Sequence, residues 1–422
     1  MKNEEITIIG VDAGATEVKA HAVSCGDLHQ QTSFALAGPG CSRGYESVPG
    51  FTTVPMAVQL AQRDAGDIKP GSTEFQQGRL WVDAAADAIR DVVQVGSGCP
   101  ALIGVGMPGL KTPDGRGVCV INNGPRIPDY LDALEDALRR RGIALAAPVA
   151  VLGSDADYCG LGEQYGAGGL FRDVENAYYV GCGTGIADAL KLRGRLVPFD
   201  GAQAWLHKAW QIPSAFGPTF ERLVSAKSFN RVYAELVTVA ASDDGGAEPR
   251  VFPEVAALAG HPIAMTWIDA ASLILAELIF ERLWTIKNGR PLAPHRGEAY
   301  LRLDPNHEYR GILLDRVVIG QRLGMVYADA RCEGLFRDRL EGHLAALIAH
   351  SGDAEMAPRF LAPGDGRASA VALRPGLVQP STLRAAPALG AAVAAVQAWA
   401  GGQPIRAAPG PSRSKGASRR HR

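Results

Sequence analysis

Short apolar runs alternate with longer segments of helical spacing along most of the chain. The segments that predict strands are Ile6 to Val11, Glu17 to Val23, Ala101 to Val105, Val149 to Gly153, Ala177 to Val180, Ile186 to Leu192 and Asp315 to Ile319. Helical spacing marks Trp81 to Val95, Tyr130 to Arg141, Phe220 to Thr238, Ile263 to Ile286 and Leu383 to Trp399. Strands that alternate with helices in this way predict an α/β fold.

One arrangement of strands occurs twice. A strand, a turn rich in small residues and a second strand lie near residue 12 and again near residue 183. The two copies agree in pattern rather than in residue identity. They therefore predict a weak internal repeat, with one copy in each half of the protein.

The repeat divides the chain into two predicted domains. We expect an N-terminal domain over residues 1–150, completed by a helix at 383–400, and a C-terminal domain over residues 151–382. The stretch near 288–310 is rich in Pro, His and Arg and is typical of a surface insertion, and Asp243 to Arg250 is typical of a loop. Residues 401–422 are basic and rich in Gly, Pro and Ser, which predicts a disordered tail.

Charge and cysteine content narrow the range of partners. The chain of 422 residues has 43 basic and 44 acidic side chains, so no net field favours nucleic acid or an anionic membrane. Its seven scattered cysteines form no C-x-x-C pair and suit a reducing compartment. The N-terminus lacks signal-peptide features, and the apolar segment Ile263 to Ile286 carries four charged residues, which favours an amphipathic buried helix. We expect a cytoplasmic protein without a membrane or nucleic-acid partner.

The first of the two turns has residues that suit phosphate binding. Asp12, Gly14 and Thr16 lie where a strand ends and a hairpin begins. Glycine lets the backbone approach an oxyanion closely, and backbone N–H groups with the Thr hydroxyl then bind phosphate oxygens. The Asp carboxylate orients a hydrated Mg²⁺. An ordinary hairpin turn is the alternative interpretation of this short pattern.

The second turn, Gly181 to Gly185, again lies between apolar strands. Two such hairpins at equivalent places in two halves favour a phosphate site over two unrelated turns. Neither turn has the Gly-Lys-Ser/Thr ending of a Walker A loop, and no G-x-G-x-x-G opens a helix after a strand. A dinucleotide-binding fold is therefore disfavoured.

A carboxylate follows the predicted strand that ends at Gly153. Asp155 comes just after it, at the strand end where α/β proteins place their chemistry. A carboxylate there can take the proton of an attacking hydroxyl. The alternative is a helix cap formed by Ser154, Asp155 or Asp157, because Ser and Asp are favoured at that position. Both interpretations hold together if Asp155 is the base and Ser154 or Asp157 is the cap.

Seven motifs stand in an order that resembles one known family. They are IIGVDAGATEVKA, LIGVGMPGL, INNGPRIPDY, VAVLGSDADYCGLGEQYGAG, AYYVGCGTGIADALKLRGRL, FGPTFERLVSAKS and LGAAVAAV. Together they resemble the ROK family of bacterial sugar kinases, in the actin, hexokinase and Hsp70 superfamily. The resemblance runs from about Ile6 to Trp399. It implies two actin-like, ribonuclease H-like ATPase domains with a cleft between them.

The resemblance also implies roles for individual residues. The two hairpins would hold the phosphates of ATP with Mg²⁺, which Asp12 would bind through water, and Asp155 would be the general base. The residues implied in nucleotide binding are Asp12, Gly14, Thr16, Gly183, Thr184, Gly185 and, at the adenosine, Gly320. Those implied along the sugar pocket are Pro108, Gly109, Asn123, Ser154, Asp155 and Glu221. A homodimer is implied by analogy.

The chain departs from the family pattern in several places. The cysteines of the family's zinc segment are missing before Glu221, so no zinc is expected. The family's G-E-x-G-H sugar contacts would fall between Asp200 and Trp210, where His207 and Lys208 are the available replacements. Ser154 replaces an Asn, and the turns after Gly185 and Gly320 have few glycines. We therefore expect a sugar derivative or a cyclitol rather than plain glucose as the acceptor.

The sequence thus predicts an ATP-dependent kinase that phosphorylates a hydroxyl of a sugar-like substrate. One rival is a catalytically weakened sugar or nucleotide sensor on the same fold, favoured by the altered turns. The family's repressors carry an N-terminal DNA-binding segment, whereas this sequence starts with the first strand. The other rival is an ATPase that activates a radical enzyme, which would need paired cysteines for an iron–sulfur cluster.

Overall fold

Two separate sheets with the same strand order organise the protein. The structure, a computed structural model, describes residues 6–26, 33–94, 99–150, 152–199, 206–241, 251–290, 292, 303–363 and 371–401. The strands are β1 Thr7–Ala13, β2 Glu17–Cys25, β3 Phe34–Leu36, β4 Cys41–Gly44, β5 Ala101–Met107, β6 Leu110–Lys111, β7 Val118–Val120, β8 Leu152–Ser154, β9 Ala177–Cys182, β10 Ile186–Leu192, β11 Arg195–Val197, β12 Arg316–Gly320 and β13 Val378–Pro380.

The two sheets repeat one topology. In the first sheet the order is β3-β2-β1-β5-β8, with β4 also paired to β2, and in the second it is β11-β10-β9-β12-β13. The pair β1–β2 is antiparallel while β1–β5 and β5–β8 are parallel. The second sheet repeats these directions, with β9–β10 antiparallel and β9–β12 and β12–β13 parallel. The internal repeat predicted from the two turns is confirmed by this shared order.

Helices pack on both sheets. They are α1 Met56–Asp64, α2 Ser72–Gln94, α3 Tyr130–Arg140, α4 Asp155–Tyr165, α5 Glu221–Val224, α6 Ala226–Ala241, α7 Pro253–Leu258, α8 Pro262–Asn288, α9 Gln321–Ala328, α10 Asp338–His350, α11 Met356–Phe360 and α12 Ala386–Gly401. A 3₁₀ turn at Ala330–Cys332 and a π-helical turn at Glu333–Arg337 lead into α10.

The last helix returns to the first sheet. Helix α12 packs on β1, β5 and α4. Its fit is close enough that a Cβ at Gly10 or Gly104 would lie 1.8 Å from a carbonyl oxygen of α12. Only glycine on the strands therefore permits this approach. The packing agrees with the predicted completion of the N-terminal half by a C-terminal helix; the domain boundaries themselves stay a prediction.

Each sheet has its own apolar core, and the longest helix lies in the second. Helix α8 alone among the described residues is long and apolar enough to cross a membrane, and 61% of its most apolar stretch is buried inside the protein. The prediction of a buried helix is confirmed, but the amphipathic pattern holds only for its first half. From Ile274 to Ile286 nearly every side chain is buried or half-buried, including Glu281 and Arg282.

Some predicted elements were wrong in length. The helix predicted over Phe220 to Thr238 is two helices, because the chain extends at Ser225, whose hydroxyl accepts from the Ser228 N–H at 3.2 Å and caps α6. The strand predicted from Val149 is shorter, since the Val149 N–H donates to Glu135 at 3.0 Å and regular pairing starts at Leu152. The predicted loop at 243–250 and most of the insertion near 288–310 lie outside the described residues. Of the predicted tail 401–422, only Gly401 is described, and it ends α12.

Candidate active site

The carboxyl ends of three parallel strands bring the first predicted site residues together. In the register of the first sheet, Asp12 on β1 lies beside Gly106 on β5, and Gly106 lies beside Gly153 on β8. The next residues along these strands are the hairpin turn 14–16, the turn Pro108–Gly109, and Asp155. Chemistry in open α/β sheets concentrates at this edge.

Asp155 is the first residue of α4, and the residue before it forms the cap. The Ser154 hydroxyl accepts a hydrogen bond from the Asp157 N–H at 3.4 Å. The Asp157 carboxylate instead accepts from the Phe199 N–H at 3.2 Å, which ties α4 to the second half of the chain. Of the capping interpretations, the one with Ser154 therefore describes the helix start. The Asp155 carboxylate stays half-buried, and its Oδ1 accepts only from the adjacent Ala156 N–H among the hydrogen bonds of the described residues.

Gly106 has no side chain, and this lets Asp155 approach the sheet. A Cβ at Gly106 would lie 3.4 Å from the Asp155 Cα and 2.8 Å from the ring of Tyr158. The glycine thus leaves space for the first turn of α4 directly over β5. Because Gly106 is the register neighbour of Asp12, the two carboxylates face the same small region.

The electrostatics of Asp12 reflect this crowding. Burial, and then the negative charge of Asp155, raise the pKa of Asp12 to about 7, against the opposing effect of Lys19. A buried carboxylate close to a second one disfavours its own charged form. A divalent cation at this point would relieve both effects. The residue types and their placement therefore fit the hydrated Mg²⁺ that the sequence predicts near Asp12.

The second hairpin is tied to its surroundings more tightly than the first. The Gly183 N–H donates to the Gly185 carbonyl at 2.9 Å inside the turn, and the Gly183 carbonyl accepts from the Ala226 N–H at 2.8 Å. Glu221 accepts from the Ile186 N–H at 2.9 Å, just after the turn. In the first hairpin Thr16 is exposed, and Gly14 and Ala15 are half-buried.

Glu221 lies within electrostatic reach of the other carboxylates. Burial, followed by the charges of Asp188 and Asp155, raises the pKa of Glu221 above its ordinary value. The second hairpin, Glu221 and Asp155 are therefore neighbours, although they come from different parts of the chain. Asp155 thus lies within electrostatic reach of both Asp12 and Glu221.

The predicted adenosine turn has an unusual residue. Gly320 ends β12, and Gln321 follows in a left-handed conformation with a φ of 57°. The Gln321 carboxamide oxygen lies 2.0 Å from where a Cβ on Gly183 would be. Any side chain at position 183 would therefore displace the Gln321 carboxamide, which covers this side of the second hairpin. The low glycine content of this turn is a local difference in the predicted nucleotide region.

On the first sheet's side, a buried amide holds the predicted pocket edge. The Gln59 carboxamide donates to the Ile121 carbonyl at 2.9 Å and accepts from the Ile121 N–H at 2.8 Å. Asn123, two residues further on, is exposed, as is Gly109, and Pro108 is half-buried. All three are accessible from the solvent, which a pocket edge requires.

His207 and Lys208 lie in the second half of the chain and are half-buried. Burial and the neighbouring Arg282 guanidinium lower the pKa of His207 below its ordinary value, so the imidazole is neutral near pH 7. The Lys208 N–H donates to the Gln211 side chain at 2.9 Å. The preceding residues, 200–205, lie outside the described part of the chain.

Two side chains near the site were not among the residues predicted from the sequence. The Lys111 ammonium donates to the carbonyls of Met107 and Gly109 at 2.6 and 2.7 Å, so a cation is fixed at the end of β5. Tyr45 stacks on Trp81 with ring centroids 4.1 Å apart, and its pKa is raised by burial and by Tyr130 and Asp12. Lys111 lies in the two-residue strand β6 and Tyr45 lies in a loop after β4. Neither residue belongs to a helical pattern or a sequence motif, so no sequence signal identifies them.

No group of three or more His, Cys, Asp or Glu side chains with metal-binding geometry occurs among the described residues. Asp12 and Asp155 are two carboxylates and so fall short of such a group.

Comparison with known proteins finds similarity in the fold but none in the sequence. No family model and no curated protein sequence matches this chain. Solved structures do match. A ROK family glucokinase from Streptomyces griseus, in complex with glucose and AMPPNP, superposes with a TM-score of 0.53 at 14% identity, over 92% of this chain and 98% of that one. A protein from Cytophaga hutchinsonii provisionally named a sugar kinase gives 0.52 at 14%, over 92% and 98%.

A transcriptional regulator gives the same result. The ROK family regulator that is a homologue of the E. coli MLC protein superposes with a TM-score of 0.52 at 12% identity, over 95% of this chain and 80% of that one. The fold is that of the ROK family. The α/β, actin-like architecture predicted from the seven motifs is thereby confirmed. The ROK fold serves kinases and a regulator alike, so activity has to be argued from the site.

Proposed function

We propose that this protein is an ATP-dependent kinase that transfers the γ-phosphoryl group to a hydroxyl of a sugar-like small molecule. The observation that carries the proposal is the placement of Asp155. Its carboxylate is half-buried at the start of α4, within electrostatic reach of Asp12 and of Glu221, and Glu221 in turn accepts from the Ile186 N–H just after the second hairpin. A base close to phosphate-binding turns is what phosphoryl transfer to an alcohol requires.

The residues divide the work in this proposal. The turns at Gly14 to Thr16 and Gly183 to Gly185 hold the phosphates of ATP, with Gly320 at the adenosine. The oxygen of the acceptor hydroxyl attacks the γ-phosphorus, and Asp155 accepts the proton that this hydroxyl loses. The bond between the γ-phosphorus and the bridging oxygen breaks, and ADP leaves with that oxygen. Mg²⁺, when bound near Asp12, neutralises phosphate charge. Positioning and charge stabilisation supply most of the acceleration in such reactions.

The acceptor contacts come from both sides of the site. We assign Pro108, Gly109, Asn123 and Ser154 to the side of the first sheet, and Glu221, His207 and Lys208 to the side of the second. A neutral His207 and Lys208 offer different hydrogen-bond partners from the G-E-x-G-H contacts of the family pattern, whereas Glu221 keeps the family's Glu. A sugar derivative or a cyclitol therefore suits the site better than plain glucose. The glucose bound to the Streptomyces griseus enzyme supports only the broader class.

An ADP-release screen tests the proposal. The purified protein with Mg·ATP is presented with hexoses, amino sugars, polyols and cyclitols, each as a separate assay. Acceptor-dependent ADP release with at least one compound is the expected result. Mg·ATP binding without acceptor-dependent release across the whole panel would contradict the kinase.

One observation favours a second function. Gln321 covers Gly183 at the second hairpin, and a regulator is among the proteins with the same fold. A sensor would bind a sugar or nucleotide without turnover. The same screen distinguishes it, when paired with thermal-shift measurements: a compound that raises the Tm but releases no ADP supports the sensor.

A further inference from the structure

The short segment that carries His207 and Lys208 is held by two buried charges. The His207 carbonyl accepts a hydrogen bond from Nη1 of Arg282, on helix α8. The Ala209 N–H donates to Oδ2 of Asp188, on strand β10, at 2.8 Å. Lys208 lies between these two backbone contacts, so the direction of its side chain depends on them.

The Arg282 guanidinium and the Asp188 carboxylate also bind each other as an ion pair. Arg282 Nη2 donates to Asp188 Oδ1 at 2.9 Å, and both side chains are fully buried. The Tyr178 hydroxyl also donates to Asp188, and the guanidinium lies 5.5 and 5.4 Å from the ring centres of Tyr178 and Phe199. Buried ion pairs contribute little to stability because desolvation offsets their attraction, which leaves room for a positioning role.

The same strand also holds the other acceptor-side residue. Ile186, two residues before Asp188, donates its N–H to Glu221 at 2.9 Å. Both contacts start from the beginning of β10, immediately after the turn Gly183 to Gly185. The hairpin, Glu221 and the peptide 207–209 are therefore connected through three consecutive residues of one strand.

We infer that the Asp188–Arg282 ion pair is a positioning pair, which fixes the acceptor-facing peptide 207–209 relative to the second hairpin. The two charges act through the backbone of that peptide and do not contact substrate themselves. This inference deepens the proposed function. The part of the inference that concerns the acceptor rests on the proposed kinase activity. It also explains why an Asp stands at position 188, where the family pattern has a glycine-rich turn.

Hydrogen exchange tests the inference without any substrate. The variant Asp188→Val/Arg282→Met removes both charges and keeps apolar side chains in the core. We expect amide exchange over residues 206–212 to accelerate about tenfold or more, because two backbone hydrogen bonds are lost there. Exchange in α2 and β1, on the first sheet, should remain within about twofold of wild type.

A matched control comes from the other half of the protein. Arg126 and Glu74 form a second buried ion pair, beside the first sheet. The corresponding variant, Glu74→Leu/Arg126→Met, should leave exchange over 206–212 unchanged. If Asp188→Val/Arg282→Met left that segment as protected as in wild type, or raised exchange equally throughout β9, β10 and α8, the pair would be merely structural and the inference would be wrong.

Kinetics provides a second readout once the screen yields an acceptor. We expect Asp188→Val/Arg282→Met to raise the KM for that acceptor about tenfold while the KM for ATP changes less than about threefold. Equal changes in both would contradict a positioning role. If no acceptor is found, the proposed function fails, and the exchange measurement still decides whether the ion pair holds the segment.

Discussion

The two hairpins share a topology but use their carboxylates differently. In the first, Asp12 is half-buried at the end of its strand, faces Asp155 and has a pKa raised to about 7. In the second, the Asp188 side chain is buried in the core, where it forms an ion pair with Arg282. A repeated strand–turn–strand unit thus places one carboxylate where a reaction can use it and the other where it holds neighbouring backbone in place.

Removing the partner of the buried carboxylate should have the largest effect on stability. We expect Arg282→Met to lower the free energy of unfolding by about 3–5 kcal/mol, because Asp188 would remain buried and uncompensated. Urea denaturation measures the change. Asp188→Val/Arg282→Met should be more stable than Arg282→Met alone, and a double variant as unstable as the single one would show that the charge is not the cause.

The carboxylate of the first hairpin should behave in the opposite way. The folded-state pKa of Asp12 is raised above its unfolded value, so ionisation opposes folding, and stability from this group is lost as the pH rises from about 4 to 7. Asp12→Asn should therefore stabilise the protein by roughly 1–3 kcal/mol at pH 8, allowing for solvent screening, and by little at pH 4.

Thermal unfolding of wild type and Asp12→Asn across this pH range checks the prediction. Glu17→Gln is a control, since the pKa of Glu17 is lowered rather than raised and its loss should not stabilise the protein. A stability difference for Asp12→Asn that stays constant between pH 4 and 8 would contradict the raised pKa.

The smallest effect on stability is expected at the tip of the first hairpin. Thr16 is exposed, so Thr16→Val should change the free energy of unfolding by less than about 0.5 kcal/mol. Its hydroxyl is a proposed phosphate ligand, and we expect several-fold weaker binding of Mg·AMPPNP by calorimetry. Thr238→Val, at an exposed threonine of α6, is the matched control for nucleotide affinity. Unchanged affinity in Thr16→Val would remove Thr16 from the phosphate site.

The sequence predicted the fold well because its strongest signals are local. Apolar runs gave β5, β9 and β10 nearly to the residue, and two similar turns indicated the repeat that the sheets confirm. The helix break at Ser225 was missed, since helical spacing continues through it. Short strands such as β4 and β13 were missed as well, because three or four residues carry no period.

The site was only partly predictable for a different reason. Asp12 lies near the carboxyl end of one strand and Asp155 directly follows another, so their placement at one edge comes from the order of the strands alone. The pairing of Asp188 with Arg282 joins residues 94 positions apart, and no local pattern links them. The left-handed Gln321 was equally hidden, because that conformation is uncommon for residues other than glycine and Gln does not signal it.

The most direct test of the account compares two neighbouring carboxylates of α4 in the ADP-release assay. Asp155→Asn should lower acceptor-dependent turnover by about 10²–10⁴-fold, as loss of a general base predicts, while Mg·AMPPNP affinity stays nearly intact. Asp157→Asn, whose side chain can still accept from the Phe199 N–H, should retain most of the turnover. Near-normal turnover in Asp155→Asn would contradict the assignment of the base, and with it the central claim.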